Sequence, residues 1–328
     1  MAAPMDPYLI VNAPNLTDDF YLKLVDWSCQ NMLAVVLGNE VYLWSVSEDG
    51  NNKAIKLCEE DLFTPPTSVQ WSENGETLAV GTFEGDLQFW DVEAQTMTSE
   101  RKNGHEGRIG CIAWKENVVC TGGRDKRIIQ RDIRVPESMK SERELNGHSM
   151  EVCSVKWAPD GRSFASGGND NSLMIWSMHG EDPQYAFKEH QAAVKAMAWS
   201  PHHRGLLVTG GGSADKCLRF WDTLTGVPMQ RVDTGSQVCD VAWNKNAPEL
   251  VSTHGFNLNQ IKRWKYPVLR PETISSHPHR PLYLSISPDG ESTVTGGHDQ
   301  LLRFYHIFNH SGKSKTGSTQ LDLEWGIV

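Results

Sequence analysis

The chain has 328 residues, and its 41 acidic and 31 basic side chains give a formal net charge of −10. Nucleic-acid-binding proteins usually carry a basic stripe, whereas the only basic run here, residues 124–134, is interrupted by Asp125 and Asp132. No apolar run reaches the roughly 18 residues that a membrane-spanning helix needs. We therefore expect neither a nucleic acid nor a membrane as a partner.

The cysteines and the N-terminus indicate the compartment. The seven cysteines are an odd number, include no C-x-x-C pair and lie mostly in apolar, strand-like stretches. This pattern is typical of reduced cysteines that pack as small hydrophobic residues. The first residues contain neither a basic region nor an apolar segment, so we expect no secretory signal. The protein is thus expected in the nucleus and cytoplasm.

Tryptophans mark a repeat along the chain. The first landmark is the end of a strand in the middle of each repeat, at Trp27, Trp71, Trp114, Trp157, Trp199, Trp243 and Ser287. The second landmark is the strand that closes each repeat, at Trp44, Trp90, Arg131, Trp176, Trp221, Trp264 and Tyr305. Both series have seven members, spaced 41 to 46 residues apart. Four short strands in such a period are typical of one propeller blade, so the sequence predicts an all-β, seven-bladed WD-repeat β-propeller.

A tight turn with an aspartate precedes the closing strand in four repeats. These acids stand six residues before the closing landmark, at Asp125, Asp170, Asp215 and Asp299. The same repeats also contain a histidine near their start, at His105, His148, His190 and His277. We expect each histidine to form a buried hydrogen-bonded set with the turn aspartate and the strand tryptophan. The histidines are therefore interpreted as structural.

The two ends of the chain are predicted to differ. Tyr8-Leu-Ile-Val-Asn12 has the pattern of a strand and precedes the first repeat. We expect residues 8–12 to become the outer strand of the last blade, which closes the ring and removes a free sheet edge. Residues 1–308 then form the propeller. The polar, Gly/Ser/Lys-rich stretch that follows predicts a flexible tail over residues 309–328.

The sequence shows no motif for catalysis or metal binding. The glycines at 210–212 lack the following Lys-Ser/Thr of a phosphate-binding loop. The paired loop histidines, His202 with His203 and His277 with His279, lack a cysteine or acidic set at metal-ligand spacing. No serine carries a nucleophile motif. We predict a binding platform and not an enzyme, with no metal and no cofactor.

Several short sequence motifs along the chain resemble those of a known protein family. They are Asn15–Ser28, Ile129–Arg134, Gly167–Asn171, Ala193–Ala196, Asp233–Cys239, Ser252–Phe256 and Trp264–Pro267. In this order they resemble the fizzy/fizzy-related family of WD-repeat activators of the anaphase-promoting complex, a ubiquitin ligase of the cell cycle. Ile129–Arg134 is similar to the fizzy-related branch. The resemblance implies a substrate receptor for cell division, in mitosis or meiosis, that reads short degron motifs.

In that family, the upper face of the propeller reads the KEN-box degron. The family's KEN-reading positions correspond here to Phe20, Asn169, Asn171, Ser213, Gln237 and Arg280. Their chemistry suits such a peptide. Arg280 can form two hydrogen bonds with the Glu carboxylate, and Phe20 can pack against the methylene groups of the Lys side chain. The amide side chains can pair with the Asn and the backbone of the peptide.

The sequence departs from the family where a second degron, the D-box, is bound. The family's groove, between the first and last blades, uses an Asp and a Glu, which correspond here to Asn12, in the word Val11-Asn-Ala-Pro14, and to Gln300. Both amides keep an acceptor but lose the charge that strengthens a contact with the Arg of the motif. We expect a D-box groove that is altered at Val11, Asn12 and Gln300 and binds weakly.

The parts that dock the family onto the ligase differ as well. The family ends in Ile-Arg, whereas this chain ends in Ile327-Val328. Only a few residues precede the closing strand, where the family carries a C-box. Three interpretations stay open: an adaptor or activator of the ligase, a decoy that holds KEN-bearing partners away from it, and a scaffold without degron reading. We expect a monomer whose partners are degron-bearing substrates or pseudosubstrate inhibitors and, for the adaptor, subunits of the ligase.

Overall fold

The computed structural model describes residues 5–46, 54–57, 64–136, 142–308 and 319–321, and every regular element among them is a β-strand. The strand β1 (Leu9–Asn12) stands before the first blade. Blade 1 consists of β2 (Val25–Trp27), β3 (Met32–Leu37), β4 (Glu40–Ser45) and β5 (Ala54–Lys56). Blade 2 consists of β6 (Pro66–Trp71), β7 (Thr77–Thr82), β8 (Leu87–Asp91) and β9 (Thr96–Arg101). Blade 3 consists of β10 (Ile109–Lys115), β11 (Val118–Gly123), β12 (Ile128–Asp132) and β13 (Arg143–Leu145).

The second half of the chain repeats this arrangement. Blade 4 consists of β14 (Val152–Trp157), β15 (Ser163–Gly168), β16 (Leu173–Ser177) and β17 (Pro183–Phe187). Blade 5 consists of β18 (Val194–Trp199), β19 (Leu206–Gly211), β20 (Cys217–Asp222) and β21 (Val227–Asp233). Blade 6 consists of β22 (Val238–Trp243), β23 (Glu249–His254), β24 (Gln260–Lys265) and β25 (Arg270–Ser276). Blade 7 contains β26 (Pro281–Ile286), β27 (Thr293–Gly297) and β28 (Leu301–Tyr305), and the last strand is β29 (Thr319–Leu321).

The strand pairing confirms the predicted fold class. In each of blades 1 to 6, four strands pair in sequence order within one sheet. The described strands therefore form seven blades, and the first strand of each blade is the innermost one. Since successive strands are antiparallel, the start of every inner strand and the turn between the second and third strands lie on the same face of the ring.

The ring is closed by β1, as predicted. This strand pairs antiparallel with β28, with Leu9 opposite Phe304 and Asn12 opposite Leu301. It is not the outermost strand of blade 7, however, because β29 lies parallel to it on the other side. Three residues of the predicted tail thus form a strand. The rest of that tail, 309–318 and 322–328, lies outside the described residues.

Apolar side chains fill the space within and between the blades, because side chains along a strand alternate between its two faces. Five of the closing landmarks are less than 2 % exposed, namely Trp44, Trp176, Trp221, Trp264 and Tyr305. Truncating such a buried aromatic side chain to alanine typically costs about 3–5 kcal/mol. The residues that mark the repeat in the sequence are therefore also important for its stability.

The predicted histidine–aspartate hydrogen bond is present in blades 3, 4 and 5, whereas in blade 7 Arg303 lies between His277 and Asp299 and contacts both. In blade 4, His148 Nδ1 lies 3.1 Å from Asp170 Oδ1, and His148 Nε2 lies 2.8 Å from Ser166 Oγ. The same hydroxyl oxygen accepts a hydrogen bond from Trp176 Nε1 at 2.8 Å. Equivalent side chains make the same contacts in blade 5. The set in blade 4 fixes the turn that carries two of the predicted site residues.

Most of the described cysteines are buried, as their apolar sequence surroundings predict. Five of the six cysteines described are buried, and Cys29 is exposed. Burial raises the pKa of Cys111 and of Cys239 to about 12. These thiols therefore stay protonated and pack as small apolar groups. In the part of the chain that is described, no helix is long and apolar enough to cross a membrane.

Candidate functional site

A cavity of about 700 Å³ opens on the face of the ring where the inner strands begin. All six residues predicted to read a KEN peptide line it, namely Phe20, Asn169, Asn171, Ser213, Gln237 and Arg280. They come from the segment before blade 1 and from blades 4, 5, 6 and 7. The fold thus collects side chains from most of the length of the chain into one site. Their role in binding stays a prediction.

Arg280 is held in a defined orientation at the edge of blade 7. Its Nε donates to Asp18 Oδ1 at 2.7 Å, and its Nη2 donates to the backbone oxygen of Asp18 at 3.3 Å. The guanidinium carbon lies 4.8 Å from the ring centroid of Phe256, within cation–π range. The side edge of the guanidinium is therefore occupied by Asp18. Its Nη1 donates no hydrogen bond within the described residues, so the end-on edge is available to a ligand.

The two asparagines stand on either side of Asp170 in the turn between β15 and β16. The backbone N–H of Asn169 donates to the carbonyl oxygen of Glu151 at 2.8 Å, and its side-chain Oδ1 accepts from the Tyr21 hydroxyl at 3.0 Å. Asn171 has a φ of 64°, a left-handed conformation that asparagine tolerates better than most residues. Both side-chain amides thus belong to a short turn that the hydrogen bond between His148 and Asp170 holds in place.

Phe20 contributes an aromatic surface that is mostly covered. It is 8 % exposed and makes an edge-to-face contact with Tyr21, with ring centroids 5.4 Å apart. The ammonium nitrogen of Lys195 lies 5.1 Å from the centroid of the Phe20 ring. One cation of the protein is therefore already associated with the ring that was predicted to carry the lysine stem of a peptide.

Gln237 and Ser213 complete the predicted set. Gln237 is buried at the start of blade 6, and a Cβ atom built on Gly255 would come within 2.8 Å of its Oε1. A glycine at position 255 therefore leaves room for the glutamine side chain. Ser213 is exposed in the turn between β19 and β20, and the neighbouring Gly212 N–H donates to the carbonyl oxygen of Ala193 at 3.0 Å.

Two acidic residues of the cavity wall were not among the predicted site residues. Asp18 holds Arg280, and Asp19 Oδ2 accepts from Arg108 Nη1 at 2.7 Å. Arg108 also forms two hydrogen bonds with Glu151, at 2.7 and 3.1 Å. The wall therefore presents carboxylates and guanidinium groups side by side. The position of both acids directly before Phe20 was the signal that could have identified them.

The match to a family model decides the affiliation of the chain. Residues 11–305 match the model of the CDC20/Fizzy WD40 domain. The chain belongs to this family. Protein FIZZY-RELATED 2 of Arabidopsis thaliana is 50 % identical over 318 residues, and Anaphase-promoting complex subunit cdh1 of Dictyostelium discoideum is 43 % identical over 349 residues. Both matches cover 96 % of this chain, but the chain spans only 64 % and 46 % of these relatives.

A solved structure agrees with the same affiliation. A chain in the crystal structure of a mitotic checkpoint complex superimposes with a TM-score of 0.88 at 39 % identity, and the match covers 94 % of each chain. This similarity confirms the propeller fold, and the names of the relatives confirm the resemblance to the fizzy-related branch. The predicted WD-repeat propeller of the fizzy/fizzy-related family is thus confirmed.

The predicted D-box positions lie at the seam between β1 and the turn before β28. Gln300 Oε1 accepts from the backbone N–H of Asn15 at 3.0 Å, so the amide oxygen is already used within the chain. Asn12 is half-buried at the end of β1, next to this turn. Val11 is fully buried in the core, so its side chain offers no exposed surface to a groove. The docking residues 327–328 lie outside the described residues.

Proposed function

We propose that this propeller is a substrate-recruiting adaptor of the anaphase-promoting complex, and that it binds KEN-box peptides in the cavity described above. The observation that carries the proposal is the convergence of the six predicted side chains on one cavity of about 700 Å³. Relatives named as a fizzy-related protein and as a subunit of the anaphase-promoting complex support the ligase as the partner. Degron-bearing substrates and pseudosubstrate inhibitors are the ligands that such a cavity would take.

The glutamate of the peptide is assigned to Arg280. Because Asp18 occupies only the side edge of the guanidinium, the end-on edge can hold a carboxylate through two parallel hydrogen bonds. A hydrogen bond to a charged group is worth about 1.5–3 kcal/mol, which corresponds to roughly ten- to hundredfold in affinity. Asp18 then acts as the residue that orients Arg280.

The remaining groups of the peptide find partners of matching chemistry. Asn169 and Asn171 present amides that can pair with the asparagine side chain and with the peptide backbone. Asp18 and Asp19 place negative charge on the wall next to Phe20, which favours the lysine ammonium there. A peptide with adjacent lysine, glutamate and asparagine thus matches both the charges and the amides of the cavity.

Titration with a labelled peptide tests the proposal. Fluorescence anisotropy should show saturable binding of a KEN peptide and no binding of the same peptide with Ala-Ala-Ala in place of the motif. Arg280→Ala should abolish binding without unfolding the propeller. The matched control is Arg204→Ala, because Arg204 is 63 % exposed and lies in the turn after β18, on the opposite face of the ring. Equal affinity of the KEN and Ala-Ala-Ala peptides would refute the proposed function.

Adaptor and decoy differ in what happens after the peptide is bound. A reconstituted ubiquitination assay with purified ligase and a KEN-bearing substrate separates them. Stimulation by this chain supports the adaptor, whereas binding without stimulation, together with inhibition of another activator, supports the decoy. No contact in the described residues favours the decoy, so the adaptor is the function that we propose.

The D-box is assigned a minor role. Gln300 uses its amide oxygen on Asn15, and neither Asn12 nor Gln300 carries the negative charge that would attract the arginine of a D-box. We therefore propose that the chain prefers KEN peptides over D-box peptides. Competition between the two peptides for the parent protein measures this preference directly.

A further inference from the structure

Lys195 lies in the second position of β18, next to the cavity and beneath its aromatic surface. The residue is 6 % exposed, and its Nζ has no hydrogen-bond partner within the described residues. The nitrogen lies 5.1 Å from the ring centroid of Phe20 and 5.6 Å from that of Tyr283. Phe20 lines the cavity, and the Tyr283 hydroxyl donates to the backbone oxygen of Thr17 in the cavity wall at 2.6 Å. The buried ammonium thus lies against a ring that lines the cavity.

Three other cations near the cavity and the inner strands are paired with carboxylates. Arg280 is held by Asp18, and Arg108 is held by Asp19 and by a second acid. Deeper in the ring, Lys23 donates to Asp240 at 2.9 Å. Lys195 differs from these groups, because aromatic faces stand where the others have an acid.

Burying a charged group that has no hydrogen-bond partner lowers the stability of the folded protein. Burial lowers the pKa of Lys195, and the nearby Asp240 only partly offsets this effect. The same burial makes the charge effective at a distance, because little water screens it. An anion that enters the cavity would therefore relieve an energetic cost that the free protein carries.

We propose that Lys195 is a specificity-determining residue whose buried ammonium selects peptides with a carboxylate side chain at the position bound by Arg280. This inference deepens the proposed KEN recognition and rests on it. Arg280 supplies directed hydrogen bonds from the cavity wall. Lys195, which lies against the Phe20 ring, supplies positive charge that little water screens. The two cations together favour glutamate over its neutral amide at that position of the peptide.

The ratio of the affinities for two peptides that differ only in glutamate or glutamine tests the role of Lys195. Calorimetric titrations would compare a KEN peptide with the corresponding KQN peptide on the parent protein and on Lys195→Met, which keeps an unbranched chain and removes the charge. The parent should prefer the KEN peptide by about tenfold or more. Lys195→Met should reduce this preference by about three- to tenfold and leave the affinity for the KQN peptide unchanged.

Lys156→Met provides a matched control. Lys156 is the fifth residue of inner strand β14, whereas Lys195 is the second residue of inner strand β18. At about 3.3 Å per residue, Lys156 therefore lies about 10 Å further from the face that carries the cavity. Its removal deletes the same charge from the inner strands but should leave the preference for the KEN peptide intact.

The outcomes are separable. If the parent prefers the KEN peptide and Lys195→Met keeps that preference, the role of Lys195 is refuted while the proposed function stands. An equal loss of affinity for both peptides refutes it too, because that result indicates a structural role. If the parent binds neither peptide, both proposals fail. Lys195→Met should raise the melting temperature; if it does not fold, Lys195→Gln is used for the same comparison.

Discussion

Removing the Asp170 carboxylate should lower both the stability of the propeller and its affinity for a KEN peptide. Burial alone would raise the pKa of Asp170, but hydrogen bonds from His148 and from the backbone N–H groups of Ser149 and Ser172 outweigh burial and hold the pKa at about 2, against an ordinary value of 3.8. The side chain is only 8 % exposed. The difference between the two pKa values corresponds to about 2–3 kcal/mol of folding free energy. We expect Asp170→Ala to cost at least that much.

The pH dependence has a defined sign. Because the folded pKa of Asp170 lies below the unfolded one, its stabilisation is fully present above about pH 4 and is lost as the pH falls through about 2. Urea unfolding of the parent should therefore show a loss of stability over this range. The same loss should be smaller by about 2–3 kcal/mol in Asp170→Ala.

The effect on binding follows from the position of Asp170 between Asn169 and Asn171. Without the carboxylate, the turn loses the hydrogen bonds that hold both amides, and we expect roughly tenfold or weaker binding of a KEN peptide. Asp125→Ala in blade 3 is the matched control. Asp125 Oδ1 lies 2.9 Å from His105 Nδ1 in an equivalent set, but its turn does not line the cavity. This control should be destabilised and bind the peptide normally.

Anisotropy titrations under conditions where both variants are folded decide the point. If Asp170→Ala binds as tightly as the parent, the turn does not position the asparagines. If Asp125→Ala loses as much affinity as Asp170→Ala, the loss reflects global stability and not the local turn. Either result would refute the link between the buried hydrogen-bond set and the site.

Three further predictions concern the seam between blades 7 and 1. Asp18→Ala should weaken KEN binding by about tenfold in peptide titrations, because Arg280 loses its orienting partner; tighter binding would show instead that Asp18 competes with the peptide. Asn12→Asp combined with Gln300→Glu should strengthen D-box binding, with a steeper salt dependence than the parent, since two charges are added; unchanged affinity would place the arginine site elsewhere. Deletion of residues 1–12 should lower the free energy of unfolding in urea by several kcal/mol, because it removes buried strand residues and reopens the ring; an unchanged midpoint would contradict closure by β1.

The blades could be predicted because their signals are local and recur. Each repeat carries its own tryptophan landmarks and turn residues, so an error in one repeat is corrected by the others. The closing strand was predictable as well, because blade 7 has only three strands of its own. The strand β29 was not, since Thr319–Leu321 carries no apolar alternation. Its pairing depends on the open edge of β1, which exists only after the ring has formed.

The site was predicted only in part for a related reason. The family resemblance identified the six cavity residues, but it did not identify the charges that hold them. The hydrogen bond between Asp18 and Arg280 joins residues that are 262 positions apart in the sequence. Lys195 lies in one of the family motifs, Ala193–Ala196, but the sequence does not indicate that its ammonium lacks a hydrogen-bond partner within the described residues. Such contacts are set by ring geometry and not by local pattern.

Ring closure and the cavity depend on the same short segment of chain. After β1, Asn15 donates to Gln300, the carbonyl oxygen of Thr17 accepts from Tyr283, and Asp18 pairs with Arg280. Each of these contacts crosses the seam between the first and last blades. A peptide that binds to Arg280 and Phe20 therefore spans the seam and stabilises the closed ring, by about 2.7 kcal/mol at a concentration of one hundred times Kd. On the proposed function, the closure of the propeller and the binding of a degron are thermodynamically linked through residues 12–20.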